Sequence, residues 1–240
     1  MKLLVNTLDF RQALQSTIPH CANPKDSAAH AVIHFTATDE NVHLTACNMY
    51  TLGHAVASLW ESDGLVGDVT EDSFNLPVDL AKELLALFKS GGKKPEDEIG
   101  DSLQITITEK NITVLDVSGL FPGKTLTVPR EDGNEYPVAF GRLLTSAVLS
   151  DKMMPERLAA QGRLVRLFAS ASAAYSEPLI IEPTDDARRI LISCGESFLG
   201  LLMPMRSETI ADSLNAWREG WLHRLPDIAF AGGGKTQDAA

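Results

Sequence analysis

Arg188–Arg206, RRILISCGESFLGLLMPMR, reads as a hairpin. Ile190, Leu191 and Ile192 form one apolar run, Gly195 with Glu196 and Ser197 supplies the turn, and Phe198 to Met203 form a second run before Pro204. A strand apolar on both faces belongs in the core of an α+β domain. Its end has a different character. Leu202, Met203, Pro204, Met205 and Arg206 set two flexible thioethers around a proline that cannot donate to a ladder, which suits an adaptable apolar pocket margin.

Working outward, the hairpin closes a βαβββ unit. Arg157–Ala160 reads as a strand, Gly162–Tyr175 as a helix, and Leu179–Glu182, Ile190–Ser193 and Phe198–Met203 as three strands. The same unit occurs twice earlier. In the first copy Leu3–Val5 leads into a helix capped by Asn6 or Thr7, with Phe10, Leu14 and Ile18 on one face and Pro19 at its end; strands follow at Ala31–Thr38, Val42–Cys47 and Leu52–Leu59. In the second, Phe74–Leu76 precedes a helix opened by Pro77 with a Leu80, Leu84, Phe88 stripe; strands follow at Leu103–Thr108, Ile112–Val117 and Lys124–Val128. Glu61–Asp72 and Ser90–Asp101 read as polar linkers, and Arg130–Pro155, with its apolar run Phe140, Leu143, Leu144, is too short for a fourth unit. Self-similarity at this scale means one supersecondary unit used three times. The expected division is 1–131 (two units), 132–206 (a linker and the third) and 207–240, a tail with an amphipathic helix over Thr209–Leu225 carrying Trp217 and Trp221.

With 240 residues, 44% of them apolar, the chain can bury one sizeable core or two smaller ones. No run is long and apolar enough to span a bilayer, and Met1–Asn6 is too soon interrupted by Asp9 and Arg11 to be a signal peptide, so a cytoplasmic protein with no membrane partner is expected. Cys21, Cys47 and Cys194 have neither disulfide nor zinc spacing. The histidines His20, His30, His34, His43 and His54 match no metal pattern, so no metal or cofactor is expected. Gly232–Thr236 has the end of a phosphate loop without its first glycine, strand or helix. Cys194 has no activating base in reach, and no catalytic residue is assigned. The formal charge of −11 argues against tight phosphate binding unless the cations are segregated on one surface.

They recur on the helix side opposite the core: Arg11 in the first copy, Lys82 and Lys89 in the second, Arg163 and Arg166 in the third. Taken together, the Leu-Met-Pro-Met-Arg ending, the turn Leu44-Thr45-Ala46-Cys47-Asn48-Met49-Tyr50-Thr51-Leu52, the helix opening Asn75-Leu76-Pro77 and the linker Glu135-Tyr136-Pro137 resemble the bacterial sliding clamp, the β subunit of DNA polymerase III. The sequence departs from it at Asn48-Met49-Tyr50-Thr51, where the family has an Asp-Gly-His/Tyr-Arg turn, and lacks one half-domain between Pro137 and Arg157.

The resemblance implies a DNA-clamp fold of repeated βαβββ half-domains and a non-catalytic processivity factor. It further implies non-specific binding of double-stranded DNA through Arg11, Lys82, Lys89, Arg163 and Arg166. Its partners would be a DNA polymerase, a clamp loader and other copies of itself in a homo-oligomeric ring. It implies a peptide groove at Tyr50, Leu52, Pro77, Leu201, Met203, Pro204 and Met205. The alternative is a clamp-fold protein-interaction module that does not encircle DNA. With an odd number of units, the face Leu164, Leu167, Phe168, Ala171 is expected to lack cover in its own chain and to form a subunit interface.

Overall fold

Asn6 opens the first unit, its Oδ1 accepting the N–H groups of Leu8 and Asp9 at 2.9 and 3.1 Å, the cap that a helix N-terminus requires. In the computed structural model, which describes residues 1–68, 71–89, 101–132, 139–153, 158–184, 188–205 and 208–224, this unit runs β1 (Lys2–Asn6), α1 (Thr7–Thr17), β2 (Val32–Ala37), β3 (Asn41–Cys47) and β4 (Thr51–Asp63). The second runs β5 (Ser73–Pro77), α2 (Val78–Leu87), β6 (Ser102–Ile107), β7 (Asn111–Asp116) and β8 (Thr125–Pro129), followed by the short β9 (Glu131–Asp132). A helix absent from the sequence reading, α3 (Phe140–Leu149), comes next. The third unit has α4 (Gly162–Val165), a tighter turn over Arg166–Phe168, α5 (Ala169–Tyr175), β10 (Leu179–Pro183), β11 (Ile190–Cys194) and β12 (Phe198–Leu202), and α6 (Glu208–Arg224) ends the described chain. The proposed first strand of the third unit is not a strand at Leu158–Ala160, and its Arg157 lies outside the described residues. So do Tyr136, Pro137, Arg206, Leu225 and Gly232–Thr236.

The first two units are interlocked by reciprocal exchange of their opening strands. β1 pairs with β6 of the second unit (Leu3 opposite Ile105), and β5 pairs with β2 of the first (Leu76 opposite Ile33). Each unit therefore lacks an edge strand until the other supplies it. The third unit joins through β12, which pairs antiparallel with the first half of β4 from Thr51 to Ala55, while the second half of β4 pairs with β1. This explains why β4 runs on through residues that read as a linker: its last residues are extended by a partner distant in sequence.

At that junction Gly53 and Gly200 face each other across the ladder. A Cβ on Gly53 would stand 2.4 Å from His20 Cδ2, and one on Gly200 would stand 2.5 Å from Phe168 Cε1 and 2.9 Å from the Leu52 carbonyl oxygen. The two glycines admit the His20 and Phe168 rings, whose centroids are 4.6 Å apart, directly over the sheet. His20 is further held by a 3.0 Å hydrogen bond between Nδ1 and Thr51 Oγ1.

The expectation of an uncovered third helix face is corrected here. Leu164, Phe168 and Ala171 are buried in one continuous core with Phe10, Ala13 and Leu14 of α1. Pairing β12 with β4 lays α5 beside α1, where Gln12 Nε2 donates to Ala174 O at 2.8 Å. The first unit, not a second chain, covers that face.

The opposite face of the sheet carries a row running Asn75, His34, Thr45, His54, Leu199, Ser193, Ile180 across seven strands in register. Helix α3 lies on this face. Phe140 reaches over the rings of His34 and His54, and Leu144 and Ala147 pack with Cys47, Leu52, Leu191 and Leu201 in a second, smaller core.

Burial holds His20 and His54 neutral, with pKa values lowered to about 3 and about 4, and lowers those of His34 and His43 as well. In the unfolded chain each would protonate near 6.5, so between that value and about 4 the unfolded state binds more protons and stability falls as pH falls. Each fully neutral buried histidine contributes a slope approaching about 1.4 kcal/mol per pH unit. Denaturant midpoints measured across this range should decline progressively; a flat profile would contradict the burial of the two rings.

Candidate DNA face and partner-binding margin

Helices α2, α1 and α4–α5 stand side by side on one face of the sheet, so the predicted cations can be placed residue by residue. Arg163 and Arg166 are exposed on the third unit, Arg163 Nε donating to Gln161 Oε1 at 2.8 Å, and no acidic residue lies between Gly162 and Tyr175. Lys89 is exposed just beyond α2. Lys82 is exposed but ion-paired with Asp79 at 2.9 Å, one turn away on the same helix, with Glu83 adjacent. Arg11 differs from the expectation: its Nη1 donates to the carbonyl oxygens of Leu85 and Phe88, closing the C-terminus of α2, and partial burial lowers its pKa. Its role in the fold is to tie α1 to α2, satisfying carbonyls that the helix end leaves open. The basic character of this face is therefore concentrated on the third unit.

The seven predicted partner-binding residues separate into three groups. Tyr50, Met203 and Met205 are exposed and Pro204 is half-buried at the end of the β4–β12 pair, where Met203 N donates to Tyr50 O at 2.9 Å and Met205 N to Ala159 O at 2.8 Å. Met49, in the left-handed region at φ 73°, is exposed beside them and extends this apolar margin. Leu52 and Leu201 are cross-strand partners, yet both are buried beneath α3. Their place in an open groove is corrected: the amphipathic helix α3 occupies the surface they would line. Pro77 ends β5, three strands from β4 and so on the order of 14 Å from Leu52. It is not brought to the margin.

Beside α3 a cavity of about 340 Å³ is lined by Phe140, Leu144 and Val148 on one side and by His54 and Leu199 on the other. His54, which lines it from the first unit, hydrogen-bonds through Nδ1 with Thr45 Oγ1 at 2.8 Å and approaches His43 at 3.4 Å; in the same sheet, outside the lining, His34 Nδ1 meets Asn75 Oδ1 at 3.0 Å. No cluster of His, Cys, Asp or Glu among the described residues has the grouping of a metal site. Cys194 is buried in β11 with its thiol pKa raised, chiefly by burial, and its Sγ donates to Glu177 O. The signal for α3 was present in sequence as Phe140, Leu144 and Ala147, an i, i+4, i+7 stripe.

Helices lined up on one side of a continuous antiparallel sheet, with units exchanging their first strands, define the fold of sliding clamps. Solved clamp structures match it at low sequence identity. The DNA polymerase III β subunit of Thermotoga maritima gives a TM-score of 0.56 at 12% identity over 85% of this chain and 64% of its own. The DNA polymerase sliding clamp of Bacillus subtilis gives 0.57 at 14% identity over 86% and 64%, as does the Borrelia burgdorferi β subunit solved in complex with a natural product. The chain thus spans a little under two thirds of the length of these clamps. No family model and no curated protein matches the sequence. The α+β class and the clamp architecture stand on this likeness.

Position relative to α3 separates the leucines from the methionines experimentally. Leu201→Glu, which buries a carboxylate without a partner, should destabilise the fold by about 3 kcal/mol or more. Met203→Glu, at an exposed site, should stay within about 0.5 kcal/mol of the wild type. Urea unfolding of both variants makes the comparison; equal losses would mean that α3 does not seal the leucine row.

Proposed function

We propose that this chain is a sliding-clamp-like processivity factor: a non-catalytic scaffold that encircles double-stranded DNA, without reading its sequence, and tethers a DNA polymerase. A clamp loader and further copies of the chain would be its assembly partners. The observation that carries this reading is the row of three helices on one sheet face with Arg163 and Arg166 exposed on a segment free of acidic residues. In a protein of net charge −11, cations gathered on one face favour phosphate contact there and leave the rest of the surface repelling DNA. Few contacts per chain favour weak, salt-sensitive and mobile binding, as sliding requires. The exposed margin of Tyr50, Met203, Pro204 and Met205 supports a role in binding a partner's apolar peptide, since thioethers adapt to varied side chains.

A second reading, a clamp-fold protein-interaction module that does not encircle DNA, has its own observation in favour: Arg11 is committed to capping α2 and Lys82 is paired with Asp79, so that two of the three cations expected to meet DNA on the first two units, all but Lys89, are engaged within the fold. Retention on circular DNA, compared with the same DNA linearised, separates the two. Under the clamp reading the protein stays on circles and runs off linear ends. Arg163→Glu with Arg166→Glu should weaken retention and reduce the slope of log K against log salt by about 2 per chain. Equal behaviour on circles and linear DNA, or retention unchanged by the double reversal, would favour the interaction module.

A further inference from the structure

We infer that the exposed apolar margin is also a modification site: a peroxide oxidises Met49, Met203 and Met205 to methionine sulfoxide, and the change releases a partner's apolar peptide. The inference rests on the margin being the partner-binding surface and adds its regulation. Methionine is among the residue types most often buried, yet Met49, Met203 and Met205 are 64%, 54% and 41% exposed. Three of the chain's six methionines thus meet solvent at one place, where β12 ends beside the turn that starts β4.

The backbone fixes all three there. Met203 N donates to Tyr50 O at 2.9 Å, Met205 N to Ala159 O at 2.8 Å, and Met49 N to Cys47 Sγ at 3.4 Å. The turn that carries Met49 is closed by Asn48 Oδ1, which accepts from Tyr50 N at 3.1 Å and from Thr51 N at 2.8 Å. An ordered main chain with open side chains lets a dissolved oxidant meet the thioethers with no unfolding step.

The thiols, which ordinarily compete for peroxide, are withdrawn. Their reactive form is the thiolate. Cys47 and Cys194 are buried and Cys21 is half-buried. Burial raises the thiol pKa of all three, that of Cys21 to about 12 against a smaller opposing influence of Lys82. Thiolate is therefore scarce at neutral pH, and the thioethers, which need no deprotonation, are the sulfur groups that face the oxidant.

One peroxide serves each methionine. A sulfur lone pair attacks one peroxide oxygen; the S–O bond forms, the O–O bond breaks, and the departing hydroxide takes the proton from the transferred oxygen to leave as water. Sulfur is oxidised by two electrons and the peroxide is reduced by two. The product replaces a flexible apolar group with a polar one that accepts hydrogen bonds. Beneath an apolar peptide its oxygen loses water and gains no donor, which costs binding energy. A dithiol reverses the step: the oxygen leaves as water with the two thiol protons, sulfur regains two electrons, and the dithiol closes to a disulfide.

The test uses the full chain, no DNA, and as its probe a fluorescent peptide selected from a random library on the reduced protein. Two readouts separate the margin from its regulation. In the first, mass mapping after brief hydrogen peroxide treatment should find Met49, Met203 and Met205 oxidised, and the bound peptide should protect them while leaving the exposed Met153 unprotected. In the second, full oxidation should raise the dissociation constant of the peptide about tenfold or more, with the urea midpoint unchanged, and methionine sulfoxide reductase with a dithiol should restore it. A chain carrying Met49→Leu, Met203→Leu and Met205→Leu should give the same dissociation constant before and after peroxide, whatever that constant is; Met153→Leu should respond as the wild type does. Protection without a change in affinity, a triple variant that still responds, or a loss of binding that follows a fall in the urea midpoint would overturn the inference and leave the margin as a docking surface. Failure of every selected peptide to protect the three methionines would remove the margin's partner-binding role, and the inference with it.

Discussion

Gly53 and Gly200 face each other across the β4–β12 ladder, and the space left by their missing Cβ atoms is filled by the rings of His20 and Phe168. Glycine weakens a strand by giving it nothing to pack and much conformational freedom to lose. Here the loss is offset because two bulky rings, one from each of two units, reach the sheet at a single point. The third unit is attached by this contact together with the five-residue register of β12 on β4 and the backbone bonds that extend it, Val56 N to Ser197 O and Met203 N to Tyr50 O. Any side chain at either glycine would press the rings away and reopen the helix face that α1 now covers.

That junction also governs the curvature of the sheet. β4 has β3 along one edge, and its other edge is shared by β12 at the beginning and β1 at the end, with an irregularity in the β1 register between Leu4 and Val5. A strand divided between two neighbours must turn from one to the other along its length, and a bulge is a usual place for that turn. The result is a single ladder system of 12 strands among the described residues, with the helices of all three units gathered on one side.

Local pattern carried most of the elements. The caps and prolines at Asn6, Pro19 and Pro77, the stripe of Phe10 and Leu14, and the turn at Gly195 all act over a few residues, and each falls at or within a few residues of the boundary it was read to set. What the pattern could not carry was assembly. Nothing in the neighbourhood of Leu3 or Phe74 says that each strand joins the other unit's meander, and nothing near Leu164 says that α1 will cover it, because those outcomes are decided by pairings between residues far apart in the chain. Helix α3 was missed for a related reason: its stripe is short, and its value comes from Leu52 and Leu201, which supply the surface it covers. The fate of Arg11 was equally hidden, since the carbonyls it satisfies belong to a helix more than seventy residues away.

The same non-local logic explains why the apolar residues around the hairpin end divide into glue and margin. Alternation along β12 sends Leu201 outward under α3 and Leu202 inward to the main core, and both disappear from solvent. The ladder then stops, because Pro204 has no N–H with which to continue it. Beyond that stop the chain is held by main-chain bonds to Tyr50 and Ala159, which fix its course without covering its side chains. Met203 and Met205 are therefore exposed by the geometry of an ordered segment and not by fraying, and Met49 and Tyr50 are exposed beside them by the left-handed turn that starts β4. A scattered exposed methionine needs no explanation, but several large apolar side chains held together by a rigid backbone form a surface that water does not stabilise. Among the described residues near the β4–β12 junction, this margin and the cavity beside α3 are apolar surface that the fold leaves uncovered.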